Sequence, residues 1–308
     1  MPSATLSATK ADLFKRASTL SLLSLSLAFS SFSSADFSPK ANPVPGGVAV
    51  IELPNSIGEG TPEIYFQGQR VFTMSRAQNK RSDERRVTWV GLPLSLNAGK
   101  HSLDIHQPGG RIRNVFLEVR APEKPQQKHI ISRTPLQKDL TPAQQQRIQQ
   151  EKNKIQSFLQ RWSGNPPDNR VFLRPTEGSV SQGFGEQRFY NGEEVYSHTG
   201  VDMSGQRVFA PADGTVVLID DLFYQGKHVI IDHGQGLITQ YSHLQAINVR
   251  IREGQKIRRG EEIGKVGNTG RHIEGMRFAQ PIKTPHLHWS VSLNGTYVDP
   301  ELFLIKTQ

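Results

Sequence analysis

The chain has 308 residues, a formal net charge of +9, 35% hydrophobic and 21% charged residues, with 27 Gly and 19 Pro. That balance is globular and loop-rich, and it excludes a multi-span membrane protein. Cys is absent, which excludes a thiol nucleophile, disulfides, a lipid-modified cysteine anchor and any thiolate metal site. A metal in this chain must be held by His, Asp and Glu. At roughly 150 residues per domain, the length predicts about two domains with two separate cores.

Residues 1–35 read as a secretion signal. Lys10, Lys15 and Arg16 precede an apolar run over 17–29, and Ser33-Ser34-Ala35 offers small residues for cleavage. The run is too short for a bilayer of about 30 Å. An uncleaved Ser-rich anchor is the other reading. The expectation is an exported chain, periplasmic or secreted, with no stable membrane span after cleavage. Without Cys its cores must stand on packing alone.

Residues 41–120 carry strand after strand. GGVAVIEL, EIYFQGQRVFTM, RRVTWVGLPL, KHSLDI and RIRNVFLEVR are β-branched and aromatic runs split by turn residues. They predict a small β-sandwich. His101 and His106 within it read as exposed loop or strand residues. Residues 121–168 read as linker and helix: Pro- and Gln-rich as far as 141, then Thr141-Pro142 as N-cap and first helical residue. Ile148, Ile155, Leu159 and Trp162 follow near one stripe.

Residues 170–306 are β-rich again, giving an all-β fold class: two β domains joined by a linker and one helix. Seven of the ten His lie here, at 198, 228, 233, 243, 272, 286 and 288. The charge is unevenly spread. Residues 36–164 carry +8, and residues 165–308 carry −1. A basic accessory half fits contact with an anionic polymer or envelope surface, and fits a merely solvated basic face as well. Export, and the lack of a Lys/Arg run with aromatics, speak against nucleic acid.

Three segments bear the chemistry. VYSHTGVDMSG brings His198 and Asp202 to a loop entering a strand, where both can bend around one ion. TPHLHWSV alternates as a strand, so His286 and His288 project from one face about 7 Å apart. LITQYSHL places His243 near the end of a third strand, and strict alternation puts Tyr241 on its face. A catalytic zinc needs three His or carboxylate ligands and an open position for water. His198, Asp202 and one of the 286/288 pair supply the cage, and the remaining imidazoles supply acid–base function. His233 reads as a turn residue, His228 as a sheet-face residue, and Gly183-Phe184-Gly185 as backbone geometry rather than a phosphate cradle.

SHTGVD, IIDHGQGLITQYSHL, EEIGKVGNTGR, PHLHWSV and VDPELF, in that order, resemble the catalytic domain of the lysostaphin-type (LytM-like) murein metallopeptidases. The likeness covers about residues 180–303, and the N-terminal half resembles exported Gram-negative members more loosely. The resemblance implies a twisted antiparallel sheet with a zinc groove between loops. It implies one Zn2+ per chain held by His198, Asp202 and His288, with His243 and His286 as the catalytic pair. It also implies hydrolysis of cross-links between peptidoglycan stem peptides, the D-alanyl–diaminopimelate bond above others. Two other readings share these residues: a carboxypeptidase trimming terminal D-Ala, and a non-catalytic scaffold or activator of a partner murein hydrolase. A degenerate member of that second kind should lack one of the five positions, and none is missing. One departure stands out. The connection GRHIEGMRFAQPIKTPHLH is about ten residues longer than the family's, and the insert, roughly 272–283, is expected to project beside the cleft and gate it.

Overall fold

The computed structural model describes residues 39–53, 62–76, 85–107, 109–123, 128–131, 140–164, 172–190, 193–274 and 278–304. The signal read over 1–35 lies outside them. Among the described residues, no helix is long and apolar enough to cross a membrane.

The N-terminal half folds into two small sheets. Val48–Leu53, Arg85–Gly91 and Phe72–Arg76 form one, in that spatial order. Gln69–Arg70, Glu63–Phe66, Gly99–His106 and Ile112–Val119 form the other. Ile51, Val90, Ile64, Phe66, Leu103, Ile105 and Leu117 pack between them. Period-2 alternation explains the second sheet, whose outward residues such as Lys100 and Glu118 are exposed. The first sheet is apolar on both faces, and its other side turns Val48, Phe72, Met74, Val87 and Trp89 toward the C-terminal half.

The C-terminal half is built on an eight-stranded antiparallel sheet. Its order is Lys256–Ile257, Gly214–Leu222, Gly226–Asp232, Ile238–Leu244, Leu287–Leu293, Val201–Met203 and Val180–Gln182. Thr296–Val298 also pairs with Leu287–Leu293. One face carries Val201, Met203, Val229, Ile231, Tyr241, Trp289 and Val291, which join the residues from the N-terminal sheet in a single core. Two separate cores were expected; the larger one instead crosses the junction. The cause is the double-sided first sheet, whose second apolar face needs a partner. Phe72 and Trp89 stack at 4.1 Å within it. At the seam the Asn294 side chain accepts from Gly91 N at 2.6 Å and donates to Gly91 O at 3.1 Å.

The opposite face of the large sheet is polar. His288 is paired in register with Asp202 on one side and Ser242 on the other, so the three side chains share a row and a face. The helix α1, Pro142–Leu159, covers the far part of this face. Thr141 and Gln144 form a capping box with Pro142 in the first turn. Ile155 and Leu159 pack on Leu222 and Tyr297, and Phe158 packs against Leu218, Ile230 and Ile238.

Two segments differ from expectation. Within the stretch read as linker, Lys128–Ile131 is a strand, parallel to Gln187–Tyr190, which pairs antiparallel with Glu193–Ser197. The His-Ile-Ile run has strand propensity that its Pro- and Gln-rich flanks concealed. The insert is a hairpin, with Arg271–Glu274 antiparallel to Phe278–Pro281.

Candidate metal centre

His198 follows the Glu193–Ser197 strand in a short turn, and Asp202 lies in the strand that begins at Val201. Gly200 between them permits close approach: a Cβ there would lie 2.5 Å from Trp289 O and 2.9 Å from His288 Nε2. Both side chains are buried, His198 at 5% and Asp202 at 6% exposure. His288 enters from the neighbouring strand. Asp202 Oδ1 lies 3.1 Å from His198 Nε2 and 2.8 Å from His288 Nδ1, and those two nitrogens are 3.0 Å apart.

The protonation pattern makes this triangle suited to a cation. His198 Nδ1 lies 2.7 Å from Gly183 O, which only accepts, so Nδ1 holds the proton and a neutral ring presents a bare Nε2. Gly185 N and Glu186 O clasp the His198 backbone at 2.8 Å each. A lone pair, a carboxylate oxygen and a second imidazole nitrogen thus converge on one point. Tetrahedral zinc, with bonds of about 2.0–2.1 Å, would hold such atoms roughly 3.3 Å apart, only a few tenths beyond the observed triangle. Burial alone would push the Asp202 carboxyl up, but the adjoining His198 and His288 rings outweigh it and hold the group well below the usual carboxylate range. Burial pushes His288 down, keeping the ring neutral and able to ligate. This is the one group of three metal-capable side chains found among the described residues.

His243 and His286 stand beside the triangle. Their ring centroids are 4.9 Å apart, and His243 is 5.9 Å from His288. His286 Nε2 lies 3.7 Å from Asp202 Oδ2. His243 Nδ1 donates to Thr269 O at 3.0 Å, and His286 Nδ1 to Thr284 O at 2.9 Å, so in the neutral rings both Nε2 atoms carry lone pairs. Burial first, then the neighbouring imidazoles, push His243 well below its usual range. It is neutral at pH 7.

Alternation alone put His243 with Tyr241, and here the structure corrects it. Tyr241 is fully buried in the shared core on the other face. His243 has φ 65°, in the left-handed region, after a register shift between Lys227 and Val229 on the adjoining strand. Its N–H turns to Gln225 O at 2.7 Å, and the ring swings to the polar face. Four supporting groups escaped the sequence: the carbonyls of Gly183, Thr269 and Thr284, which have no side-chain signal, and the Ser290 hydroxyl. The last was findable, because Ser290 shares the face of His288 two residues on.

The other histidines lie elsewhere. His233 is in the turn, as read, but buried, with Nδ1 on Asp213 O at 2.7 Å and Nε2 on Thr239 Oγ1 at 2.8 Å. His228 is fully buried on the sheet, 3.1 Å from Ser242 Oγ. His101 and His106 are strand residues on the N-terminal sheet, His106 against Tyr65 at 4.5 Å. The His272 side chain lies outside the described residues.

The model of peptidase family M23 matches residues 196–300, and that of the peptidase family M23 N-terminal domain matches residues 41–120. A crystal structure from Pseudomonas aeruginosa, assigned to peptidase M23, is 31% identical with a TM-score of 0.65, over 85% of this chain and 95% of that one. The chain belongs to peptidase family M23. Among similar sequences, the peptidoglycan DD-endopeptidase ShyA of Vibrio cholerae is 35% identical over 124 residues, 39% of this chain and 26% of ShyA. The murein hydrolase activator EnvC of Escherichia coli is 27% identical over 229 residues, 72% of this chain and 51% of EnvC. The chain spans less than two thirds of either relative.

Proposed function

We propose that this M23 chain is an exported zinc endopeptidase of peptidoglycan, with one Zn2+ held by His198, Asp202 and His288 and with His243 and His286 as its catalytic imidazoles. The observation that carries the reading is the convergence of two imidazole nitrogens and a carboxylate oxygen within 3.1 Å of one another, with two further imidazoles at its edge. A zinc ion held there supplies Lewis acidity toward water and the scissile carbonyl.

The chain's own groups do the rest. Asp202 brings the negative charge, and the His198 and His288 rings beside it keep it ionised against the cost of its burial. His243, neutral and with Nε2 free of its proton, is suited to take a proton from the attacking water. His286, across from it and beside Asp202, is suited to steady the developing oxyanion or to protonate the leaving amine. The names of relatives such as ShyA support a DD-cross-link, D-alanyl–diaminopimelate, as the bond cleaved. The +8 half supports contact with anionic envelope polymers. Export to the periplasm or medium rests on the leader reading of residues 1–35.

The likeness to EnvC favours a second reading, activation of a partner hydrolase. The intact set of five site residues weighs against it. Purified diaminopimelate-type peptidoglycan, digested with and without a zinc chelator and analysed by mass, separates the possibilities. Chelator-sensitive conversion of dimers to monomers is expected. Loss of terminal D-Ala with dimers intact would make it a carboxypeptidase. Release only in the presence of a second hydrolase would make it an activator and overturn the proposal.

A further inference from the structure

His288 differs from the other three imidazoles of the site in how its far nitrogen is held. His198, His243 and His286 each rest Nδ1 on a backbone carbonyl. A carbonyl cannot donate, so it fixes one tautomer. His288 must present Nδ1 to the metal, and the partner of its Nε2 is a hydroxyl, Ser290 Oγ at 3.0 Å. A hydroxyl can accept from Nε2–H or donate to a bare Nε2. In the second case the ring would carry its proton on Nδ1, bonded to Asp202 Oδ1 at 2.8 Å, and would be unable to ligate.

Three features make this contact a built one. Ser290 lies two residues beyond His288 on the same strand and face, and it is 3% exposed. The strand is held between Ile238–Leu244 and Val201–Met203, so the two Cα positions are fixed. Gly200 closes over the pair from the neighbouring loop. A Cβ at 200 would stand 2.7 Å from Ser290 Oγ and 2.9 Å from His288 Nε2. The glycine between the two other ligands therefore leaves room for the support of the third.

We propose that Ser290 is a positioning residue, accepting the Nε2–H of His288 so that the Nδ1 lone pair faces His198 and Asp202, with Gly200 preserving the space. The inference rests on the metal site proposed above and extends it to a residue outside its three ligands and two catalytic imidazoles. Groups that orient ligating imidazoles in this way are worth about 10–100-fold in metal affinity.

The test is a chelator-competition titration of zinc with wild-type protein, S290A and S290T, alongside 15N spectra of the imidazole nitrogens. S290A is expected to bind zinc 10–100-fold more weakly, with S290T close to wild type. The metal-free form of S290A should unfold as the wild type does, and its His288 should carry the proton on Nδ1. If S290A fails to fold, S290C, with a weaker acceptor of similar size, should show a smaller loss in the same direction. Equal affinity in S290A and wild type would overturn the role of Ser290 alone. A wild type that binds no zinc would overturn the metal reading itself, and this inference with it.

Discussion

His243 occupies a backbone conformation, φ 65°, that costs a non-glycine residue about 1–3 kcal/mol. It is held there by Gln225 O on its N–H and Thr269 O on its ring, and the result is a neutral imidazole beside the His198–Asp202–His288 triangle rather than under the sheet. The site thus divides into two groups with separable phenotypes. Replacing His198, Asp202 or His288 by Ala should abolish zinc retention. Replacing His243 or His286 should leave zinc in place and lower turnover by about 10²–10⁴-fold. Metal content by mass spectrometry and hydrolysis rates on one set of purified variants check both. A zinc-loaded H243A at full activity would remove His243 from the mechanism. That these five side chains would lie together was legible because each is a metal- or proton-competent residue in a recognisable local pattern. The turn of His243 away from Tyr241 was not, because alternation predicts the reverse and only a left-handed residue undoes it.

The hairpin formed by Arg271–Glu274 and Phe278–Pro281 lies between the two carbonyls that hold the proposed catalytic imidazoles, Thr269 O before it and Thr284 O after it. Its first root is further fixed by Arg271 N on Tyr224 O at 2.9 Å and by Arg271 over Phe223 at 4.5 Å. Among the described residues, the contacts that hold the proposed ligands His198, Asp202 and His288 lie outside it. Replacing residues 272–280 with a two-residue turn should therefore spare zinc affinity while lowering kcat, and should raise KM if the hairpin also touches substrate. Steady-state kinetics on a cross-linked muropeptide dimer read both. Unchanged constants would mean that the hairpin neither gates the cleft nor steadies the pair. The insert was visible in the sequence as excess length, and the capped helix was visible in Thr141-Pro142. The strand Lys128–Ile131 was hidden because its partner, Gln187–Tyr190, is distant in sequence and the pairing is parallel.

At the scale of the molecule, the shared core should make the two halves unfold as one cooperative unit. Phe72 and Trp89 belong to the same cluster as Trp289 and Val291, and Asn294 ties the seam by two bonds to the Gly91 backbone. N294A leaves that buried N–H and C=O without their partner, so a loss of about 1–3 kcal/mol is expected in a single urea transition. Two resolved transitions would show that the halves unfold independently. The length pointed to separate cores because sequence does not reveal that a sheet apolar on both sides will be sandwiched twice.

Stability should also fall in acid. Burial pushes His233 down to about 4, against about 6.5 in an unfolded chain. Above pH 6.5 both states are neutral at this ring and its contribution is complete. As the pH falls toward 4 the unfolded chain takes up the proton first, and about 3 kcal/mol is lost. His228, pushed by burial down to about 3, adds to the same trend. Urea unfolding at pH 7, 5.5 and 4 should show this slope, reduced in H233N; an equal slope in that variant would place the acid sensitivity elsewhere.

The measurement that bears most directly on the whole account is zinc titration into chelated, metal-free protein while hydrolysis of a cross-linked muropeptide dimer is followed. The wild type should regain activity in proportion to added zinc and saturate at one equivalent per chain, and D202N should regain none. Hydrolysis that survives chelation, or that zinc restores equally in D202N, would contradict a metal held by His198, Asp202 and His288 as the centre of the reaction.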